Sequence, residues 1–96
     1  MNKSDLVDDV AKRSNVTKRQ VDAVISATLD SIMESVAQGD KVILVGFGSF
    51  ERRNRKAREG RNPKTGDKMD IPETIVPAFS AGKFFKQMVE REAKRK

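Results

Sequence analysis

The chain reads as an α+β protein: two N-terminal helices, a three-stranded antiparallel sheet with a long projecting β-ribbon arm, and a short C-terminal helix. Three observations predict this. Apolar residues recur with helical period through the first forty residues, and a β-branched run then meets a Gly46-Phe47-Gly48 turn. From Glu51 to Lys68 the core signal vanishes, with turn residues near the middle of the stretch. The 96 residues make one domain's worth of chain, and at 36% hydrophobic the core is small enough to be completed only in an oligomer.

Asn2 followed by Asp5 marks a helix start, and Leu6, Val7, Val10 and Ala11 then define one helical face. Ser14-Asn15 stops that helix, because Asn tolerates the left-handed conformation at a helix end. Thr17 and Gln20 form a T-x-x-Q capping box for a second helix. Its apolar positions run Val21, Val24, Ile25, Thr28, Leu29, Ile32, Met33 and Val36, and Gly39 ends it. Two helices across a short turn raise the possibility of a DNA-reading helix-turn-helix. A recognition helix presents bases along its exposed side, whereas this one carries Lys18 and Arg19 only at its start and then Asp22, Asp30 and Glu34. Residues 1–40 are therefore read as a helical dimerisation base that packs on a sheet and on a second copy of itself.

Residues 41–79 are read as that sheet. Lys41 to Val45 is a strand, Gly46-Phe47-Gly48 a tight hairpin turn with Phe47 as its anchor, and Ser49-Phe50 the restart. Between Glu51 and Lys68 the only apolar side chains are Ala57 and Pro63, so the segment has nothing to bury. Extended chain returns with Met69-Asp70-Ile71 and then Ile75 to Phe79, whose prolines suit an edge strand. The ribbon arm is placed at about residues 51–71, basic on both faces, and turns at Asn62-Pro63-Lys64-Thr65-Gly66. At about 3.3 Å per residue, the path from Phe50 to Pro63 reaches at most about 43 Å, long enough to follow a DNA groove. Ser80 is expected to cap a third helix over residues 80–90, with Phe84, Phe85, Met88 and Val89 facing inward and Lys83 and Lys86 outward. Residues 91–96 form a frayed basic tail.

Charge points to the partner. Lys and Arg number 20 against 14 Asp and Glu, a formal net charge of +6. Residues 1–40 hold five bases against seven acids, and residues 41–96 the other 15 against seven. Within 52–68, Arg52, Arg53, Arg55, Lys56, Arg58, Arg61, Lys64 and Lys68 face only Glu59 and Asp67, so this segment alone accounts for the excess. A surface of that sign suits a polyanion.

Other chemistries are excluded. With no His and no Cys there is no imidazole or thiolate metal site, no disulfide and no His-assisted nucleophile, so neither cofactor nor small-molecule substrate is expected. Asp8-Asp9 is solvated helix surface rather than a metal site. Gly60 to Gly66 with Lys68 misses the phosphate-loop pattern in spacing and lacks the following hydroxyl residue. No apolar run approaches a membrane span, no signal-peptide core follows Met1-Asn2-Lys3-Ser4-Asp5, and the polar faces of the first two helices are acidic, which makes a membrane surface a poor partner. An RNA-binding module built on the same basic segment is the weaker alternative, since Tyr and Trp are absent and no reader of A-form shape is evident.

The motifs, taken in order, resemble the signature of the bacterial histone-like DNA-binding proteins, the HU and integration-host-factor family. Gly46-Phe47 with Phe50, then Arg55, Arg58, Gly60 and Asn62-Pro63 with Thr65, carry the likeness, and Met1-Asn2-Lys3 and Val76 to Lys83 extend it over nearly the whole chain. The resemblance implies an intertwined homodimer or close heterodimer, helical at its base, with two arms embracing the minor groove of double-stranded DNA, and a bacterial, cytoplasmic, nucleoid location. It implies that Pro63 at each tip wedges between base pairs; a rigid, apolar ring without an N–H suits that task. Arg53, Arg55, Lys56, Arg58, Arg61, Asn62, Lys64 and Lys68 are the expected phosphate and minor-groove contacts. Lys3, Lys83 and Lys86 would touch flanking backbone, and Phe47, Phe50 and Phe79 would form dimer core. A shape-reading protein of HU type is preferred to a site-specific integration-host-factor subunit, because the helices show no second partner surface.

Overall fold

The computed structural model describes residues 1–95. Its element order is α1 (Lys3–Ser14), α2 (Lys18–Ala37), β1 (Val42–Leu44), β2 (Gly48–Arg55), β3 (Arg58–Arg61), β4 (Lys68–Ile71), β5 (Thr74–Ala81) and α3 (Lys83–Ala93). The chain divides into two compact units, Met1–Glu34 and Ser35–Lys96.

In the first unit, local signals act as the sequence predicts. The Asn2 side chain accepts the Asp5 N–H at 2.9 Å while the Asp5 carboxylate accepts the Asn2 N–H at 3.2 Å, a reciprocal cap on α1. Asn15 closes α1 with φ 56° and ψ 40°. At the start of α2 the Thr17 hydroxyl accepts the Gln20 N–H at 3.2 Å, but donates to the Gln20 side-chain oxygen instead of leaving it to the Thr17 backbone. Val7, Ala11 and Val21 form the buried cluster between the helices, with Val10 and Ile25 packed against it. Lys3 donates to Ser26 Oγ at 2.6 Å and lies 3.6 Å from Asp22, and Lys18 pairs with Asp8 at 3.2 Å.

The second unit opens with the end of α2. Gly39 N–H bonds to the Val36 carbonyl and Asp40 N–H to that of Ser35, a Schellman closure. The sheet order is β1-β2-β5, all antiparallel, so β5 with its central Pro77 lies at an edge as expected. In the β1–β2 turn Phe47 N–H bonds to the Leu44 carbonyl, and Gly46 takes φ 84°. Gly48 is buried, and a Cβ there would sit 2.5 Å from both Phe79 Cζ and the Ser80 carbonyl oxygen. Phe47 stacks on Phe85 at 5.4 Å, and Phe79 bridges Phe50 at 4.8 Å to Phe47 at 5.4 Å, so the three predicted phenylalanines cluster and a fourth joins them.

Several boundaries differ from the sequence reading: β1 covers only Val42–Leu44 of the expected Lys41 to Val45, Gly48 already belongs to β2, and both ends of α3 are shifted. Ser80 and Ala81 pair with Ser49 and Gly48 and so stay in β5; Gly82 is the N-cap of α3, without a side-chain cap bond. The Ser80 hydroxyl instead accepts from Arg53 at 3.1 Å. At the other end α3 continues to Ala93 rather than stopping near residue 90. Glu90 pairs with Lys94 at 2.8 Å, and Arg91 favours the negative helix end. Lys96, the last residue of the expected tail, lies outside the described residues.

The core of a single copy is small. Val7, Ala11, Val21 and Val36 are the buried hydrophobics, while Val45 is 95% exposed, Phe84 66% and Met88 62%. Phe84, Met88 and Val89, expected to face inward, instead line an open groove of about 820 Å³ with Val45, Phe47 and Phe85.

Candidate nucleic-acid interface

The arm is built in two ladders. β1 contributes its last pair at Val42↔Phe50, and beyond it β2 is paired only with β5, out to Arg55↔Thr74. The second ladder, β3 with β4, runs from Arg58↔Ile71 to Arg61↔Lys68. Two residues intervene on each strand, Lys56-Ala57 and Pro72-Glu73, so the register is unchanged across the break. Pro72 has no N–H to give to a ladder at that point.

Asn62 holds the tip: its carbonyl accepts the Gly66 N–H at 2.7 Å, its N–H donates to the Asp67 carbonyl at 2.9 Å, and its Oδ1 accepts the Lys64 N–H at 2.9 Å. The expected DNA contact Asn62 thus spends its oxygen on the turn and keeps its amide N–H groups for a partner. Pro63 is exposed and follows Asn62 at the outermost end of the ribbon.

Residues opposite each other share a face, and successive pairs alternate. One face carries Arg52 with Pro77, Asn54 with Ile75, Arg58 with Ile71, and Gly60 with Met69. The other carries Arg53 with Val76, Arg55 with Thr74, the two acids Glu59 and Asp70 directly opposed, and Arg61 with Lys68. Bases thus stand on both faces, Arg52 and Arg58 on one and Arg53, Arg55, Arg61 and Lys68 on the other. The bases sit mainly on the outgoing strand, and the return strand brings an apolar row in which Ile75 is 60% and Met69 46% exposed. That row was visible as alternation in Met69-Asp70-Ile71, and pairing it with the outgoing strand needed the register.

The bases differ in their engagements. Arg55, Lys56, Arg58, Arg61, Lys64 and Lys68 are exposed and have no ion-pair partner among the described residues. Arg53 lies 3.3 Å from the half-buried Glu51 as well as bonding Ser80. Arg52 donates to the Ala37 carbonyl. Lys83 and Lys86 are exposed at the start of α3, where no acid offsets the positive helix end. Lys3 belongs to the first unit and is held by Asp22 and Ser26.

The model of the family described as "Bacterial DNA-binding protein" matches residues 1–90. The chain belongs to the bacterial DNA-binding protein family. Within it, the chain is 66% identical to DNA-binding protein HU of Nostoc over 89 residues, 93% of this chain and 95% of that one. It is 50% identical to HU of Staphylococcus aureus over 90 residues, 94% of this chain and all of that one. Among solved structures, Anabaena HU cocrystallised with DNA superposes with a TM-score of 0.85 at 66% identity, covering 93% of this chain and 97% of that one. HU from Thermotoga maritima gives 0.67 at 35% identity, covering 93% and 98%. The helices, antiparallel sheet and projecting ribbon are thus those of this bacterial DNA-binding family.

Proposed function

We propose that this chain acts as a histone-like architectural protein: a homodimer whose two ribbon arms clamp the minor groove of double-stranded DNA, bend it and compact it with little sequence preference. The observation that carries this reading is the arm itself, with six bases unpaired among the described residues and a proline at its end. The contacts are Arg53, Arg55, Lys56, Arg58, Arg61, Asn62, Lys64 and Lys68, with Lys3, Lys83 and Lys86 on flanking backbone, and Pro63 enters a base step. Phosphate contacts bind any sequence, and a wedge favours steps that unstack easily, so preference follows DNA shape. The open aromatic cluster and the groove beside α3 support pairing with a second copy, in which Phe47, Phe50 and Phe79 become core. Such a protein works in the bacterial cytoplasm at the nucleoid and performs no catalysis.

Titration of linear, nicked and four-way-junction duplexes at two salt concentrations tests the reading. Binding that strengthens from linear to distorted DNA, and weakens steeply with salt, is expected. Equal affinity for structured RNA, or indifference to salt, refutes it.

A further inference from the structure

Of the eight bases between residues 52 and 68, Arg52 is the one that reaches back to a helix. It lies just past Val42↔Phe50, where the three-stranded sheet narrows to the two strands of the arm. Its Nη1 donates to the Ala37 carbonyl at 3.3 Å, at the last residue of α2. That end needs a cation. The last turn of α2 contains no basic residue, and its Schellman bonds use the carbonyls of Ser35 and Val36 but not that of Ala37. Room for the guanidinium comes from Gly39, where a Cβ would stand 3.2 Å from Nη2 and 3.5 Å from Cζ of Arg52.

Resting on the reading that the arms grip DNA, we propose that Arg52 is a positioning residue: it ties the root of the arm to the C-terminal end of α2 and thereby sets the direction in which the arm leaves the sheet. It is not one of the phosphate contacts. The arm is otherwise a two-stranded ribbon, so a constraint at its root governs where the tip arrives. Arg53, next along the strand, faces the other side and is held by Glu51 and Ser80, so the root is fixed on both faces.

The test compares the full-length parent, Arg52→Gln and Arg52→Lys on one nicked duplex carrying end labels for energy transfer. Affinity is measured across a salt series, and melting is followed in parallel. Parent protein that binds and bends the duplex secures the underlying reading; parent that fails to bind defeats that reading and this proposal together. With the parent active, Arg52→Gln is expected to bind about three- to ten-fold more weakly and to bend less, with an unchanged salt slope, since no phosphate contact is lost. Arg52→Lys, which can still donate to the Ala37 carbonyl, is expected to recover most of the bend. A slope shallower by about 1.8, two lost contacts per dimer, makes Arg52 a phosphate contact and overturns the proposal. A lowered melting temperature with parental bending, or parental behaviour throughout, also overturns it.

Discussion

At the scale of single residues the arm separates two tasks that its composition merges. Pro63 carries no charge and no N–H, so its removal leaves the phosphate contacts in place while taking away the wedge. Pro63→Ala is therefore expected to retain the salt slope and lose most of the bend, read as energy transfer between labelled duplex ends; undiminished bending removes the wedge role. Arg58 is the reverse case. It is exposed and unpaired, and in a dimer its loss deletes two cations. Arg58→Ala should flatten the plot of log affinity against log salt by about 1.8, at about 0.9 per phosphate contact. An unchanged slope would place Arg58 off the backbone. A third residue is purely structural. Gly48 is buried against Phe79 and the Ser80 carbonyl at distances no Cβ can share. Gly48→Ala forces β2 from β5 at the foot of the arm, with an expected loss of about 1–3 kcal/mol in denaturant unfolding.

At the scale of elements, what was legible in the sequence was whatever local chemistry decides. Asn2 with Asp5, Asn15, Gly39 and the Gly46 turn act within a few residues of themselves, and each stands where the sequence places it. The start of α3 was illegible for the opposite reason. Ser80 has the chemistry of a cap, but its backbone is claimed by Ser49, thirty-one positions earlier, and its hydroxyl by Arg53. The polarity of the arm was likewise a matter of register, because Glu59 meets Asp70 only once the turn at Asn62 sets the pairing. That rung opposes two carboxylates in an otherwise cationic ribbon, and like charges directly opposite are destabilising. Asp70→Asn relieves the rung and removes one repulsive charge per arm. It should tighten duplex binding about two- to five-fold at fixed salt in a fluorescence titration. Weaker binding would mean that Asp70 contributes a contact of its own.

At the scale of the molecule, folding and function are supported by different parts of the same chain. One copy buries little beyond Val7, Ala11, Val21 and Val36, while Phe84, Met88 and Val89 are more than half exposed and Phe47 and Phe79 remain partly open. A chain with so small a core gains stability by mass action when a second copy covers those surfaces. The arm adds nothing to that core: from Arg55 to Thr74 no base has an ion-pair partner among the described residues, Met69 is exposed and Ile71 only half-buried. The two tasks are thus separable by cutting where the inner ladder ends. Arg55 and Thr74 are already paired across the ribbon, so an Asn-Gly turn joining them closes a hairpin without altering the register behind it. The shortened chain is expected to remain a dimer by sedimentation, with a melting temperature that rises with protein concentration as in the parent, and to bend duplex DNA no more than a protein-free control. If it still curves DNA like the parent, the helical base and sheet supply the bend and the arms do not; if it becomes monomeric, the arms hold the dimer together instead of the aromatic cluster.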